Sequence, residues 1–528
     1  MTFPALERRP RFVGSALALV CGAVFALTAP PTDLHVLVFV GLMGFAWLLR
    51  RPDTWRVGAL YGLFFGAGAN LVALRFVPAV IERFTSLPHA VAWLAWALLS
   101  FAQGLSWALA GGLAVGLRKR GVPTFLAFAV GVYAGFFAPA LFPWTPAGGL
   151  SPWPVLVQSA DTLGERGVSL VVALVCALVV EALTKKGRVR ARHAFAAGAI
   201  MVVVLGYGAH ARIAIEEARA HAKKARIGLI QPSTEATVRW EPSAATTITK
   251  RLHDLTKVAE SHDVDVTVWP EAAFPYTLSH GSRQSPPAFT ERSVLAVGLR
   301  GPVIVGLTLS KNAQASTNSV MVARADGSLS APYDKRHLLA FGEHVPFAEE
   351  IPWMKKTFAR GTGLVPGTES TPLVAGRIRA GILVCYEDNL PEAGREAMSG
   401  APNVLVNLTN DAWFSGSAEG ELHLRLSVLR AIETRRDLAR AVNLGPTSLV
   451  DATGAVRFRY DATFPKAVEV EVALLETPPT FYVRFGDAPV IALAGVACIL
   501  HMYVASRRKP REAKRESPSR GKAREGLS

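Results

Sequence analysis

The sequence is short of cysteine, short of charge, and shorter of acid than of base. Its four cysteines, Cys21, Cys176, Cys385 and Cys498, are spread across 528 residues. That is too few for a disulfide scaffold and too scattered for a CxxC-type metal site, so structural zinc is not expected. Only 19% of residues are charged, and 41 acidic residues face 57 lysines and arginines for a formal net charge of +16. A nucleic-acid binder with that excess would cluster its cations on a polar face. Here 50% of the residues are hydrophobic and mean hydropathy is +0.28, so no nucleic-acid partner is expected. The same apolar content excludes disorder over most of the length, with only the C-terminal stretch composed like a disordered tail. The length admits two or three domains.

What the sequence does have is long apolar runs. Runs able to cross about 30 Å of hydrocarbon fall at 12–29, 34–49, 57–77, 90–117, 122–142, 168–183, 194–211 and 488–505. A cleavable signal peptide is the rival reading of the first run. Ala29-Pro30-Pro31 follows where small-residue cleavage would be expected, and a second run begins at once, so it is read as a span. Every second connection is basic: Arg8, Arg9 and Arg11; Arg50, Arg51 and Arg56; Arg118, Lys119 and Arg120; Lys185 to Arg192; and the tail from Arg507. The alternate loops, around Thr32, Glu82 and Pro146, carry almost none. Basic loops stay cytoplasmic, which predicts both termini inside and the segment between the seventh and eighth runs outside. In a bacterium this means a multi-pass inner (cytoplasmic) membrane protein with a periplasmic domain. The expected division is 1–212 with seven spans, 213–480 exported, 481–505 the eighth span, and 506–528 a basic, disordered cytoplasmic tail. Of the 57 basic residues, 23 lie in these loops and tails, so the charge excess is largely a topology signal. Cys385 is then the one cysteine in the exported segment, either inertly buried or retained for its reactivity.

The exported segment reads as a layered α/β sandwich. β-rich runs are expected at 226–231, 264–271, 303–309, 319–323, 378–387, 404–411, 441–450 and 467–474. Helices are expected at 243–261, 287–300 and 419–440, and hairpins near Asp326-Gly327 and Thr453-Gly454. Functional residues should sit at strand ends. Three ends stand out: Glu271 in Val-Trp-Pro-Glu, Lys335 in Tyr-Asp-Lys-Arg-His, and Cys385 closing Gly-Ile-Leu-Val-Cys-Tyr-Glu. Singly, each has an ordinary explanation: a helix-capping carboxylate, an exposed lysine, a core cysteine.

Together they resemble the nitrilase, or carbon-nitrogen hydrolase, superfamily, whose catalytic glutamate, lysine and cysteine come in this chain order. The wording around them agrees: W-P-E at Glu271, K-x-x-L-x-x-F-G-E from Lys335 to Glu343, C-Y-E at Cys385, and N-x-T-N-D-A-W-F from Asn407 to Phe414. The resemblance implies a nitrilase-like α-β-β-α sandwich with Glu271, Lys335 and Cys385 as catalytic residues. A free thiol is only a few per cent thiolate at neutral pH, so Glu271 is expected to take its proton. Lys335, with a backbone N–H near Cys385, is expected to meet the oxyanion. Glu343 would orient the lysine or a reacting amine, or else be an ordinary surface glutamate.

Seven apolar runs before such a domain and one after it resemble the apolipoprotein N-acyltransferase family over nearly the whole chain. Phe142-Pro143-Trp144 and the stretch ending at Asp161 resemble its loop between spans five and six. Trp240 stands where its substrate-contacting tryptophan does, Tyr386 and Glu387 follow the nucleophile, and Arg430, Glu433 and Asn443 match its later helix and strand. The resemblance implies transfer of a fatty acyl chain from a membrane phospholipid, through a cysteine thioester, to the α-amine of a diacylglyceryl-cysteine on an apolipoprotein. No cofactor or metal is required, and a monomer is expected. The sequence departs from the family at Gln231-Pro232-Ser233, at Asp388-Asn389-Leu390 and at His344, which bears on acyl-chain or head-group preference. The segment 351–358, with Trp353 and Phe358 among lysines, is composed like a lipid-facing rim or like an ordinary amphipathic surface helix. The rival readings are a membrane-anchored amidase, in which water resolves the thioester, and a transporter with a ligand-binding exported domain. The transporter lacks a paired intramembrane charge to mark a path.

Overall fold

The computed structural model describes residues 10–345, 350, 351, 353 and 363–515. The N-terminal half is helical: α1 Pro10–Ala26, α2 Leu37–Leu48, α3 Trp55–Ala73, α4 Val77–Phe84, α5 His89–Lys119, α6 Thr124–Gly135, α7 Ala160–Thr184 and α8 Gly187–His221. Of these, α3, α5, α7 and α8 have the length and hydropathy to cross a membrane, whereas α1, α2 and α6 are shorter apolar helices. The run expected at 122–142 stops as helix at Gly135, because Pro139 and Pro143 follow and proline cannot continue a helix. The run at 57–77 likewise ends at Ala73, and Pro78 opens the separate short helix α4. Helices α3 and α5 pack backbone to backbone. Gly58, Gly62 and Gly66 form a small-residue stripe, and a Cβ on Gly62 would lie 1.9 Å from the carbonyl oxygen of Trp107. Asn70 and Gln103 bond across these helices at 3.1 Å, and Gln103 also accepts from the backbone N–H of Phe142.

Helix α8 runs without a break past the expected boundary at 212 and delivers the chain to the first sheet. The strands are β1 Lys223–Gln231, β2 Val266–Val268, β3 Leu278–Ser279, β4 Val303–Ser310, β5 Ser316–Ala323, β6 Tyr333–Asp334, β7 Leu373–Ala375, β8 Ile378–Val384, β9 Val404–Asn410, β10 Leu438–Asn443, β11 Thr447–Val450, β12 Val456–Tyr460 and β13 Lys466–Leu474. One sheet has the order β13-β1-β2-β4-β5-β6 with β3 beside β4, and the other β12-β11-β10-β9-β8-β7. Both have parallel pairs at the centre and antiparallel pairs at the edges. Their inner faces meet through Ile227, Leu229, Val268, Ile382, Val406 and Ala441, all buried.

Helix α9 (Ala245–Ser261) covers the outer face of the first sheet, and α10 (Pro391–Ala397) and α11 (Glu419–Thr434) cover the second. The helix expected at 287–300 is absent: Ser285 and Ser293 hydroxyls bond nearby backbone groups, which competes with helix formation. The helix expected to reach Arg440 ends at Thr434. Arg435 adopts φ +51° and the chain turns into β10, while 441–450 divides into the end of β10 and the hairpin partner β11. The last helix, α12 (Ala488–Arg515), extends ten residues past the expected end at 505, so the first part of the basic tail is helical. Residues 516–528 of that tail lie outside the described residues, as does all of the expected rim 351–358 except Ile351 and Trp353.

The α/β sandwich is not tethered loosely. Leu424 and Val428 of α11 share one continuous core with Val168 and Val172 of α7. A positive φ of 68° at Gly164 breaks α7 near its start and turns Glu165 into that interface. There Arg430 bridges Glu165 at 2.7 Å and Glu433 at 2.8 Å, and the N–H of Glu165 donates to Glu433. Arg435 reaches Asp161 at 2.6 Å nearby. Helices α8 and α12 expose Val202, Val203, Ile213, Leu493 and Ile499, an apolar surface that water would not sustain but lipid would. The protein is membrane-bound.

Candidate active site

Glu271, Lys335 and Glu343 converge at the strand ends of the first sheet. Glu271 follows β2, and its loop rests on β4 where Gly306 has no side chain; a Cβ there would lie 2.3 Å from the Pro270 carbonyl oxygen and 2.9 Å from the Glu271 Cα. Lys335 follows β6 and is 1% exposed. Its Nζ lies 3.3 Å from Glu271 Oε1 and 2.6 Å from Glu343 Oε2. Asn318 of β5 ties the carboxylates together, its amide donating to Glu271 at 2.7 Å and to Glu343 at 2.9 Å. Burial disfavours the ammonium, but Glu271 and Glu343 outweigh it and hold the Lys335 pKa well above the usual lysine value.

Cys385 follows β8 and opens a 3-10 turn, Cys385–Asn389, with a backbone φ of +51°, a left-handed conformation rare for a non-glycine residue. Its thiol is pushed well above the ordinary value by burial first and then by Glu271, while Lys335 pulls it down. Cys385 therefore rests as a thiol that needs a base to become a thiolate. Glu387 fastens the two sheets' contributions together: it accepts from the Val384 N–H at 2.8 Å, from Arg336 and His337 N–H at 2.7 and 3.1 Å, and from the Tyr333 hydroxyl at 2.9 Å. The loop carrying Lys335 is thus locked to the end of β8 and the turn carrying Cys385. The Tyr386 hydroxyl donates to the Ala140 carbonyl of the helical region at 3.0 Å. It lines a mixed polar and apolar cavity of about 280 Å³ with Gln103, Phe142, Arg166 and Glu392. Trp240 ends a 3-10 turn, Val238–Trp240, after β1. Asn443 bonds the backbone of Thr234, fixing the start of the loop that leads to that turn.

Sequence reasoning missed the residues behind Cys385. His423 of α11 lies between Asp388 and Asp411, at 2.7 and 3.1 Å, and Arg440 of β10 pairs with Asp388 at 3.0 Å. Nothing in their own segments marked them, and the same holds for the neutral amide of Asn318, which sits among Ser316, Thr317 and Ser319. Asp411, Glu419 and His423 also place potential ligand atoms within 4.8 Å of one another, as a metal site would. Both ring nitrogens of His423 face carboxylates, however, which calls for a protonated ring with no lone pair to offer.

Residues 226–465 match the carbon-nitrogen hydrolase family, and residues 21–178 match the apolipoprotein N-acyltransferase N-terminal domain. Among relatives, an apolipoprotein N-acyltransferase of Geobacter metallireducens is 29% identical over 96% of this chain and 97% of its own. One from Allorhizobium ampelinum is 30% identical over 83% of this chain and 86% of its own. Among solved structures, an amidase from Nesterenkonia sp. aligns over 51% of this chain and 95% of its own with 19% identity and a TM-score of 0.36. A helical region of several apolar helices, a carbon-nitrogen hydrolase domain at its end and relatives matching across both place the chain in the apolipoprotein N-acyltransferase family, enzymes that transfer acyl groups with a cysteine nucleophile.

Proposed function

We propose that this chain moves a fatty acyl chain from a membrane phospholipid to the α-amine of an N-terminal diacylglyceryl-cysteine on apolipoproteins, with Glu271, Lys335 and Cys385 as the catalytic set. The observation that carries the assignment is the Glu271–Lys335–Glu343 array, with Glu271 and Lys335 buried and the array electrostatically linked to Cys385. Glu271 takes the thiol proton as sulfur attacks the ester carbonyl. Negative charge builds on the carbonyl oxygen, where the Lys335 ammonium and the Tyr386 N–H receive it. Collapse releases the lysophospholipid alcohol, which takes the proton back from Glu271, and leaves a thioester on Cys385. The lipoprotein amine then attacks, loses its proton to Glu271, and the thiol returns.

Glu343 orients Lys335, Glu387 holds the Lys335 loop against β8, and Tyr386 and Trp240 are assigned to substrate binding. Both substrates are lipid-anchored, so spanning helices that hold the site at the leaflet raise their effective concentration. The basic loops support eight spans, with both termini in the cytoplasm, the catalytic domain in the periplasm and the inner membrane as its location. No cofactor enters the scheme, and a monomer suffices for it. In proteoliposomes the unaltered chain should N-acylate a diacylglyceryl-cysteine peptide, and Cys385→Ala should not; N-acylation by Cys385→Ala would refute the assignment.

A further inference from the structure

The carbonyl of Cys385 is gripped by two buried side chains. Asn407 Nδ2 donates to it at 3.3 Å, and His423 Nε2 lies 3.2 Å from the same oxygen. His423 does not stand alone. Nε2 is also 2.7 Å from Asp388 Oδ1, Nδ1 is 3.1 Å from Asp411 Oδ1, and the second oxygen of Asp388 takes Arg440 at 3.0 Å. A neutral ring would turn a lone pair toward one of these carboxylates, so the arrangement requires an imidazolium. Asp388 and Arg440 are fully buried, and Asp411 and His423 nearly so. The remaining group facing the ring is Glu419, one turn earlier on α11, whose pKa burial and Asp411 push up to about 8. At neutral pH the cluster is then two cations against two carboxylates.

The consequence lies on the other side of the peptide. A trans peptide is planar, with its C=O and N–H pointing in opposite directions, so whatever fixes the Cys385 oxygen also aims the Tyr386 N–H. A positive φ at Cys385 persists only if the surroundings over-determine it, and the two donors supply that constraint. Resting on the reading of Cys385 as nucleophile, we propose that His423 is a positioning residue for acyl transfer: braced as an imidazolium by Asp388 and Asp411, it locks the Cys385–Tyr386 peptide with the N–H facing the oxyanion.

The test separates orienting the oxyanion donor from holding the thiol. Alkylation of Cys385 by iodoacetamide needs the thiol but no oxyanion donor; acylation by phosphatidylethanolamine needs both. Both rates are measured on the full chain in detergent, by mass spectrometry of the Cys385 peptide. In His423→Ala acylation should fall about 10²- to 10³-fold, the usual cost of an oxyanion donor, while alkylation stays within a few-fold. Asp388→Asn preserves shape but weakens the brace; it should slow acylation several-fold with alkylation again little changed, and it decides the matter if His423→Ala does not fold. Acylation at the unaltered rate in either folded variant, or a parallel fall in both reactions, would overturn the proposal. An unaltered protein that takes no acyl group on Cys385 would overturn it together with the reading of the nucleophile.

Discussion

Gly306→Ala tests how the fold positions Glu271. The new methyl would lie 2.3 Å from the Pro270 carbonyl oxygen, 2.7 Å from the Ala272 nitrogen and 2.9 Å from the Glu271 Cα. All three are backbone atoms, so no side chain can swing aside. Contacts shorter than 3.0 Å are essentially never seen for a Cβ, so the loop must retreat by at least about 0.7 Å. Glu271 moves with it, out of its present register with Lys335 and Asn318. A displacement of about 1 Å costs on the order of 10²-fold in rate, and overpacking of this kind costs about 1–3 kcal/mol of stability. The assay is the single-turnover rate of acyl adduct formation on Cys385, read beside thermal unfolding. Gly281→Ala is the control, since a Cβ there meets nothing within 4 Å. If Gly306→Ala acylates as fast as Gly281→Ala, the β4 contact does not position Glu271 and the reasoning fails.

Two further outcomes follow from buried charge. Arg430→Met strands Glu165 and Glu433, which sit 2.7 and 2.8 Å from the guanidinium, and should cost about 3–5 kcal/mol. Adding Glu165→Gln and Glu433→Gln should recover much of that loss in the thermal midpoint, and no recovery would count against a charge origin. Burial and then Glu271 raise the Cys385 pKa, so its alkylation should keep climbing at pH values where an ordinary thiol, pKa about 8.5, has levelled off. In Glu271→Gln the alkylation profile should shift to lower pH while acylation falls; a shift to higher pH would reverse the assigned sign.

How much of this was legible in the sequence depends on the kind of interaction. Glu271, Lys335 and Cys385 each follow a short strand, but only the family wording around them, which also carries Glu343 eight residues after Lys335, joined them into one candidate set. The apolar runs were legible by composition, but their ends were not: Pro139, Pro143 and Pro78 cut helices short where hydropathy continued. Residues 287–300 have helix-like composition, yet local serine bonds set a different course. Asn318, Asp388, Asp411, His423 and Arg440 were hidden for another reason. Nothing in its own segment singles any of them out, and the meaning lies in contacts between β5, the turns that follow β8 and β9, α11 and β10 that no single segment carries.

The central claim is that an acyl group passes through the sulfur of Cys385. Mass spectrometry of the purified chain after incubation with phosphatidylethanolamine tests it most directly. The account predicts one fatty acyl mass on the Cys385 peptide, labile to hydroxylamine and discharged by a diacylglyceryl-cysteine peptide with formation of its N-acyl amide. Acylated peptide product appearing while Cys385 never carries the acyl group would contradict it.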